Sequence, residues 1–119
     1  MHELSIAQAL IDQVGAAAKA QGARRVVSIR VVIGTLSGVD PESLRMAFPL
    51  AAEDTLLADA TLDVELVAAS VRCAACGGVS TPEAPFIYCA ACGSREVQIE
   101  AGRELFIRSA EIETEAKEA

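Results

Sequence analysis

The sequence predicts an α+β (α/β-like) fold, with two helices on one face of a small sheet and a four-cysteine module inserted before the last strand. Three observations predict it. Apolar residues recur at helical spacing near the N-terminus, alternate in several later segments, and are interrupted by two C-x-x-C pairs. This reading assigns 1–69 and 97–113 to a main domain and 70–96 to the inserted module. It leaves 114–119 as an acidic tail expected to fray.

The first element is an amphipathic helix from about Leu4 to Ala20. Leu4, Ala7, Leu10, Ile11, Val14, Ala17 and Ala18 share its apolar side, and Gly22 supplies a stop. Gly15 inside it costs about 1 kcal/mol relative to Ala. Arg25 to Ile33 then reads as a strand, with Val27, Ile29, Val31 and Ile33 on the buried face and a mixed opposite face. Gly34 to Gly38 is a loop. Asp40-Pro41-Glu42-Ser43 starts a second helix, because Asp40 can accept backbone N–H groups and Pro41 suits the first helical position. Leu44, Ala47, Phe48 and Ala51 give that helix its apolar side. Pro49 lacks the N–H the helix needs, so a kink or an early end is expected there. Thr61 to Ala68 is a strand with Leu62, Val64 and Leu66 inward. Val97 and Ile99 indicate a short strand, and Glu104 to Ile112 a last one.

Composition bounds the function. The chain has 119 residues, 52% of them apolar but only 3% aromatic, enough for one aliphatic core. Its formal net charge is -7. Nucleic-acid affinity comes from Lys and Arg displacing counterions on phosphate, so an acidic chain argues against that partner. No apolar run reaches the roughly 20 residues that span a bilayer, and no signal-peptide pattern opens the chain. A cytoplasmic protein with reduced thiols is expected. Four cysteines there point to metal rather than disulfides.

Cys73-Ala74-Ala75-Cys76 and Cys89-Ala90-Ala91-Cys92 lie twelve residues apart, each pair followed by glycine. A tight turn places both sulfurs of a pair on one ion. Four sulfurs with no spare ligand describe a closed, structural zinc site of zinc-ribbon type. Iron of the rubredoxin kind uses the same ligand set. A thioredoxin-like redox pair fits poorly, since that chemistry takes one C-x-x-C at a helix start. Between Val71 and Ser94 the large apolar side chains are few (Val79, Phe86, Ile87, Tyr88), so a metal is needed to order the segment. Pro82 and Pro85 stiffen it.

His2 is the chain's single histidine and follows Met1 directly. A bulky second residue leaves the initiator Met in place. The Met1 α-amine, the His2 backbone nitrogen and the His2 imidazole then close fused chelate rings on one ion. Glu3 completes a fourth position through its backbone nitrogen or its carboxylate. Nitrogen-rich planar coordination suits Ni²⁺ or Cu²⁺. The plainer role for Glu3 and Ser5 is to start the first helix.

Met-His-Glu-Leu-Ser at 1–5, Ile33-Gly34, Asp40-Pro41-Glu42-Ser43-Leu44, Phe48, the two C-x-x-C pairs, and Gly102 with Glu104-Leu105 occur in this order over nearly the whole chain. In this the sequence resembles the HypA/HybF family of hydrogenase maturation nickel metallochaperones. The resemblance implies nickel at Met1, His2 and Glu3, and zinc at Cys73, Cys76, Cys89 and Cys92. It implies work beside the maturation GTPase HypB, inserting nickel into the large subunit of nickel–iron hydrogenase. On this reading 1–69 and 97–113 form a nickel-binding domain and 70–96 a zinc-binding module, and a homo-oligomer is compatible with the sequence. Pro49 departs from the family pattern.

Two rivals belong to other classes. A zinc-ribbon interaction module, nucleic-acid-associated and without nickel transfer, would need clustered Lys, Arg and aromatics that the module lacks. An enzyme would need a nucleophile–base pair, and one terminal histidine with closed cysteine ligation does not supply it. The sequence therefore points to a non-enzymatic carrier.

Overall fold

A computed structural model of the chain describes residues 2–83 and 86–114. Two helices and six strands follow in the order α1 (Glu3–Ala20), β1 (Ala23–Gly34), α2 (Pro41–Ala52), β2 (Thr61–Val67), β3 (Ser70–Cys73), β4 (Val79–Ser80), β5 (Val97–Ala101) and β6 (Leu105–Thr114). The strands form two three-stranded sheets, one ordered β2-β1-β6 and the other β4-β3-β5. This is the α+β architecture that the residue pattern predicts.

The chain divides into two compact units. The first comprises the described parts of Met1–Val31, Asp40–Val64 and Ile107–Ala119; the second comprises Val32–Val39 and Glu65–Phe106. Sequence reading placed 97–113 with the N-terminal domain. In the fold, β5 pairs antiparallel with β3, with Cys73 opposite Val97 and Val71 opposite Ile99. Only from Ile107 does the chain rejoin the first unit.

In the first unit, α1 forms where apolar residues fall three and four apart. Ala7, Leu10, Ile11, Val14 and Ala18 are its buried face. Its end is defined by Gly22, whose φ of 76° is open to glycine without a Cβ penalty and whose N–H reaches the Lys19 carbonyl at 3.0 Å. The helix α1 packs against α2. Asp40 caps α2 as expected: its carboxylate accepts the Glu42 amide at 3.3 Å and the Ser43 hydroxyl at 2.7 Å.

The expected early end at Pro49 does not occur. The helix α2 continues to Ala52 with Pro49 inside it. Pro49 forfeits one hydrogen bond in the last turn, but Phe48 and Ala52 on either side of it are buried at 3% and 0% exposure. Their burial holds the turn that proline weakens.

Two strand faces also differ from expectation. In β1, Val26 and Val32 are buried along with Ile29, Val31 and Ile33, while Val27 is only half-buried. Both faces of the strand's end are therefore covered. In β2, Leu66 points out at 57% exposure, and Val67 takes the half-buried place. Strict alternation breaks where the strand passes from the first unit into the second.

In the second unit the chain crosses itself tightly. The Gly34 amide donates to the Glu104 carbonyl at 2.8 Å, and the Leu36 amide donates to the Gly102 carbonyl. A Cβ at Gly34 would collide with the Gly102 carbonyl, so only glycine fits. Gly102 itself has φ 119°. The Glu104 carboxylate turns back to accept the Gly102 amide at 2.8 Å. The strand β6 follows directly, from Leu105.

Candidate metal sites

The strand β3 delivers Cys73 to the start of a tight turn. The Gly77 amide closes this turn onto the Cys73 carbonyl at 2.9 Å, and the Cys76 amide points at the Cys73 sulfur at 3.4 Å. The second pair repeats the design: the Gly93 amide closes onto the Cys89 carbonyl at 2.7 Å. Gly77 and Gly93, the glycines that follow the two pairs, adopt φ 75° and 80°, which only glycine takes without a Cβ penalty. Bonds between the segments fix the two turns. The Ala74 amide donates to the Glu96 carbonyl at 2.8 Å, and the Ala90 amide to the Ser80 hydroxyl at 3.1 Å.

The outcome is a cluster of four sulfurs all within 4.8 Å of one another. Cys73 Sγ lies 3.7 Å from Cys92 Sγ, and Cys76 Sγ lies 3.6 Å from Cys89 Sγ. A tetrahedral ion with Zn–S bonds near 2.3 Å needs sulfurs about 3.8 Å apart. The donor set fits such an ion by chemistry and by spacing. Cys73 and Cys89 are buried, whereas Cys76 and Cys92 are exposed.

Electrostatics divide the four thiols the same way. The Cys92 amide and burial compete at Cys89, and the amide wins, holding its pKa at about 6. The Cys76 amide likewise lowers Cys73. Cys92, although the Ser94 amide favours its thiolate, is pushed up to about 11 by the neighbouring sulfurs of Cys73 and Cys89. Without a cation the neighbouring sulfurs thus oppose full ionisation of the cluster, most of all at Cys92. A divalent cation removes that repulsion and takes all four as thiolates.

At the other site, Met1 lies outside the described residues. His2 occupies the N-cap position of α1 but makes no side-chain cap. Its carbonyl accepts the Ser5 hydroxyl at 2.8 Å and the Ile6 amide at 3.0 Å, which is the start expected of Ser5. The imidazole is 57% exposed, with Nε2 3.7 Å from the Glu3 carboxylate. Glu3, in contrast, is buried at 7% exposure. Its carboxylate accepts the Asp40 amide at 3.1 Å, and that bond, first among several causes, holds its pKa at about 2.

Sequence reading assigned Asp40 a cap and Glu3 a ligand or helix-start role. It did not join them. Nothing in a 37-residue separation signals that the carboxylate beside His2 sits on the amide that opens α2. Among the described residues, no other group of three or more His, Cys, Asp or Glu side chains converges as the cysteines do.

A small α+β protein with an exposed N-terminal imidazole and a four-sulfur cluster is a metal-handling accessory protein. The family model for hydrogenase/urease nickel incorporation, the metallochaperone HypA, matches residues 1–112. The chain belongs to that family. The hydrogenase maturation factor HypA of Chlorobium limicola is 44% identical over 113 residues, covering 95% of this chain and 97% of that protein. The corresponding protein of Synechococcus elongatus is 43% identical over 112 residues, with 94% and 99% covered. The solution structure of the nickel metallochaperone HypA from Helicobacter pylori superposes with a TM-score of 0.66 at 32% identity, covering 97% of this chain and all of that one. No helix among the described residues is long and apolar enough to cross a membrane.

Proposed function

We propose that this chain is a nickel metallochaperone that binds Ni²⁺ through Met1, His2 and Glu3 and delivers it for maturation of nickel–iron hydrogenase. The first unit is then the nickel-binding part and the second the zinc-binding part. The observation that carries the reading is the family match, which begins at residue 1 and so includes the terminal triplet.

The surroundings of that triplet support it. In an α-helix the first N–H groups have no intrahelical acceptor, and here the Ile6 amide donates to the His2 carbonyl at 3.0 Å as the helix opens. The backbone nitrogen of His2 therefore lies ahead of the helix ladder, next to an exposed imidazole. The Asp40 amide fixes the Glu3 carboxylate, which limits the freedom of the residue following His2. Ligands at a chain end are accessible to an acceptor protein, which suits an ion held for transfer rather than for keeping.

Cys73, Cys76, Cys89 and Cys92 would hold a structural zinc, since four thiolates leave no open position for chemistry. That ion, when bound, neutralises the thiolates and fixes the two turns. Delivery takes place by ligand exchange in the cytoplasm, beside the GTPase HypB and toward the hydrogenase large subunit. No small-molecule substrate is turned over, so the protein acts as a carrier and not as an enzyme.

Metal stoichiometry on tag-free protein with an authentic N-terminus tests this. Wild type is expected to hold one zinc and one nickel, and His2→Ala to lose only the nickel. Unchanged nickel binding by His2→Ala would remove the N-terminal site.

A further inference from the structure

The four sulfurs pair in a pattern that the zinc reading does not use. The Cys73–Cys92 and Cys76–Cys89 approaches each join one turn to the other, and each joins an exposed thiol to a buried one. Exposed Cys92 lies 3.7 Å from buried Cys73, and exposed Cys76 lies 3.6 Å from buried Cys89. Gly78 lies beside the Cys76 sulfur, its Cβ position only 3.5 Å away, so the absence of a side chain there keeps that sulfur open to solvent.

We propose that the cluster is a reversible peroxide-sensitive switch, in which oxidation forms the crossed disulfides Cys73–Cys92 and Cys76–Cys89 and releases the zinc. The inference rests on the zinc reading above. A peroxide reaches the exposed sulfurs first. The Cys76 or Cys92 sulfur attacks one peroxide oxygen, the O–O bond breaks, and a sulfenic acid forms with loss of hydroxide. The nearest buried sulfur, Cys89 or Cys73, then attacks the sulfenic sulfur. An S–S bond forms, the S–O bond breaks and a second hydroxide leaves.

Two peroxides thus take four electrons from four thiolates, and four protons from solvent complete four waters. Consuming the thiolates leaves the ion without ligands. The crossed bonds close over sequence separations of 19 and 13 residues and tie the two turns to each other. Pairing within each C-x-x-C would leave the turns unconnected. Oxidation therefore exchanges a metal staple for a covalent one, and a dithiol with zinc restores the original.

The zinc-loaded full chain is titrated anaerobically with hydrogen peroxide while a metallochromic dye follows zinc. The oxidised protein is then cut by trypsin and at Glu83 without reduction, and fragmentation assigns the sulfur pairs. The expected result is one zinc released per two peroxides, with the two half-peptides joined until reduction through Cys73–Cys92 and Cys76–Cys89. Dithiothreitol with zinc is expected to return the starting stoichiometry. Half-peptides that separate without reduction, the alternative pairs Cys73–Cys89 and Cys76–Cys92, or sulfinic acids in place of disulfides would each overturn the switch. Zinc content before oxidation is read separately: if it is absent at the start, the zinc reading fails, whereas zinc retained through excess peroxide defeats only the switch.

Discussion

The unit that carries His2 and Glu3 buries large side chains from several elements, among them Leu10, Ile11, Ile29, Leu44, Phe48 and Leu57. The cysteine-bearing segment of the second unit does not, and most of that unit's large buried aliphatics, Val32, Ile33 and Val39, lie outside it. Between 70 and 101 the buried described residues are Val71, Cys73, Pro82 and Cys89, two of which are sulfur donors. Val79, Phe86 and Ile87, the large apolar residues of that segment, are exposed at 53%, 66% and 40%. The first unit is therefore organised by the hydrophobic effect, and the cysteine segment by convergence of ligands on a point. The difference matches the two tasks proposed for them. An ion kept for structure needs four ligands that only tertiary folding brings together. An ion kept for transfer is better held by neighbours in sequence, whose chelation requires little of the fold.

Removing the metal should separate the units most. Zinc chelation, or Cys73→Ser, is expected to reduce the apparent stability of the second unit by an amount comparable to the ion's binding free energy, roughly 10 kcal/mol. Amide hydrogen exchange reads it unit by unit. Protection should vanish at Val71, Cys73 and Val97 and persist at Leu44 and Phe48. Equal loss in both units would mean that the metal organises the whole chain.

The converse substitution is Phe48→Ala, at a side chain 3% exposed. Large-to-small changes in a core cost about 3–5 kcal/mol. Urea unfolding should register that loss, while the native fraction keeps its full zinc content. Loss of zinc from folded Phe48→Ala protein would show that the ligand geometry depends on the apolar core.

Gly34→Ala probes what the second unit owns besides sulfur. The added methyl would meet the Gly102 carbonyl, which cannot step aside without giving up the Leu36 amide. Overpacking of this kind costs about 1–3 kcal/mol. The expected outcome is a lower unfolding midpoint for the zinc-loaded protein. A neutral Gly34→Ala would mean the crossing is looser than drawn.

What was legible in the sequence follows the same division. The cap at Asp40, the stop at Gly22 and most of the apolar stripe of α1 are local devices where the residues place them. Leu4 and Ala17, expected on that stripe, are exposed because they sit at its edge. The cysteine pairs were legible because their spacing is itself the geometry of a ligand turn. The strands β3 and β4 were not, since four and two residues are too short for any period to show. The exposure of Leu66 and the burial of Val26 depend on what packs against each face, and alternation alone carries no such information. The bond from Asp40 to Glu3 is the clearest case: both residues were singled out, but only folding joins them.

The smallest expected effect concerns acid. Glu113 accepts from Arg24 Nε at 3.2 Å and Arg25 Nη2 at 3.1 Å, and these partners, Arg25 first, hold its pKa below the usual 4.5. A depressed folded-state pKa adds stability that is fully present above 4.5 and fades as pH falls through the lowered value. Thermal midpoints of wild type and Glu113→Gln should therefore differ by a small constant above that pH and converge below it. The side chains are about half exposed, so the gap should also shrink with salt. The second unit must respond sooner, because protons compete with the metal for thiolates before they reach a paired carboxylate. Acidification should thus release zinc while the Glu113 gap is still intact. If the gap closes first, the arginines hold Glu113 less firmly than the structure places them, and the two units do not differ in acid as they do in packing.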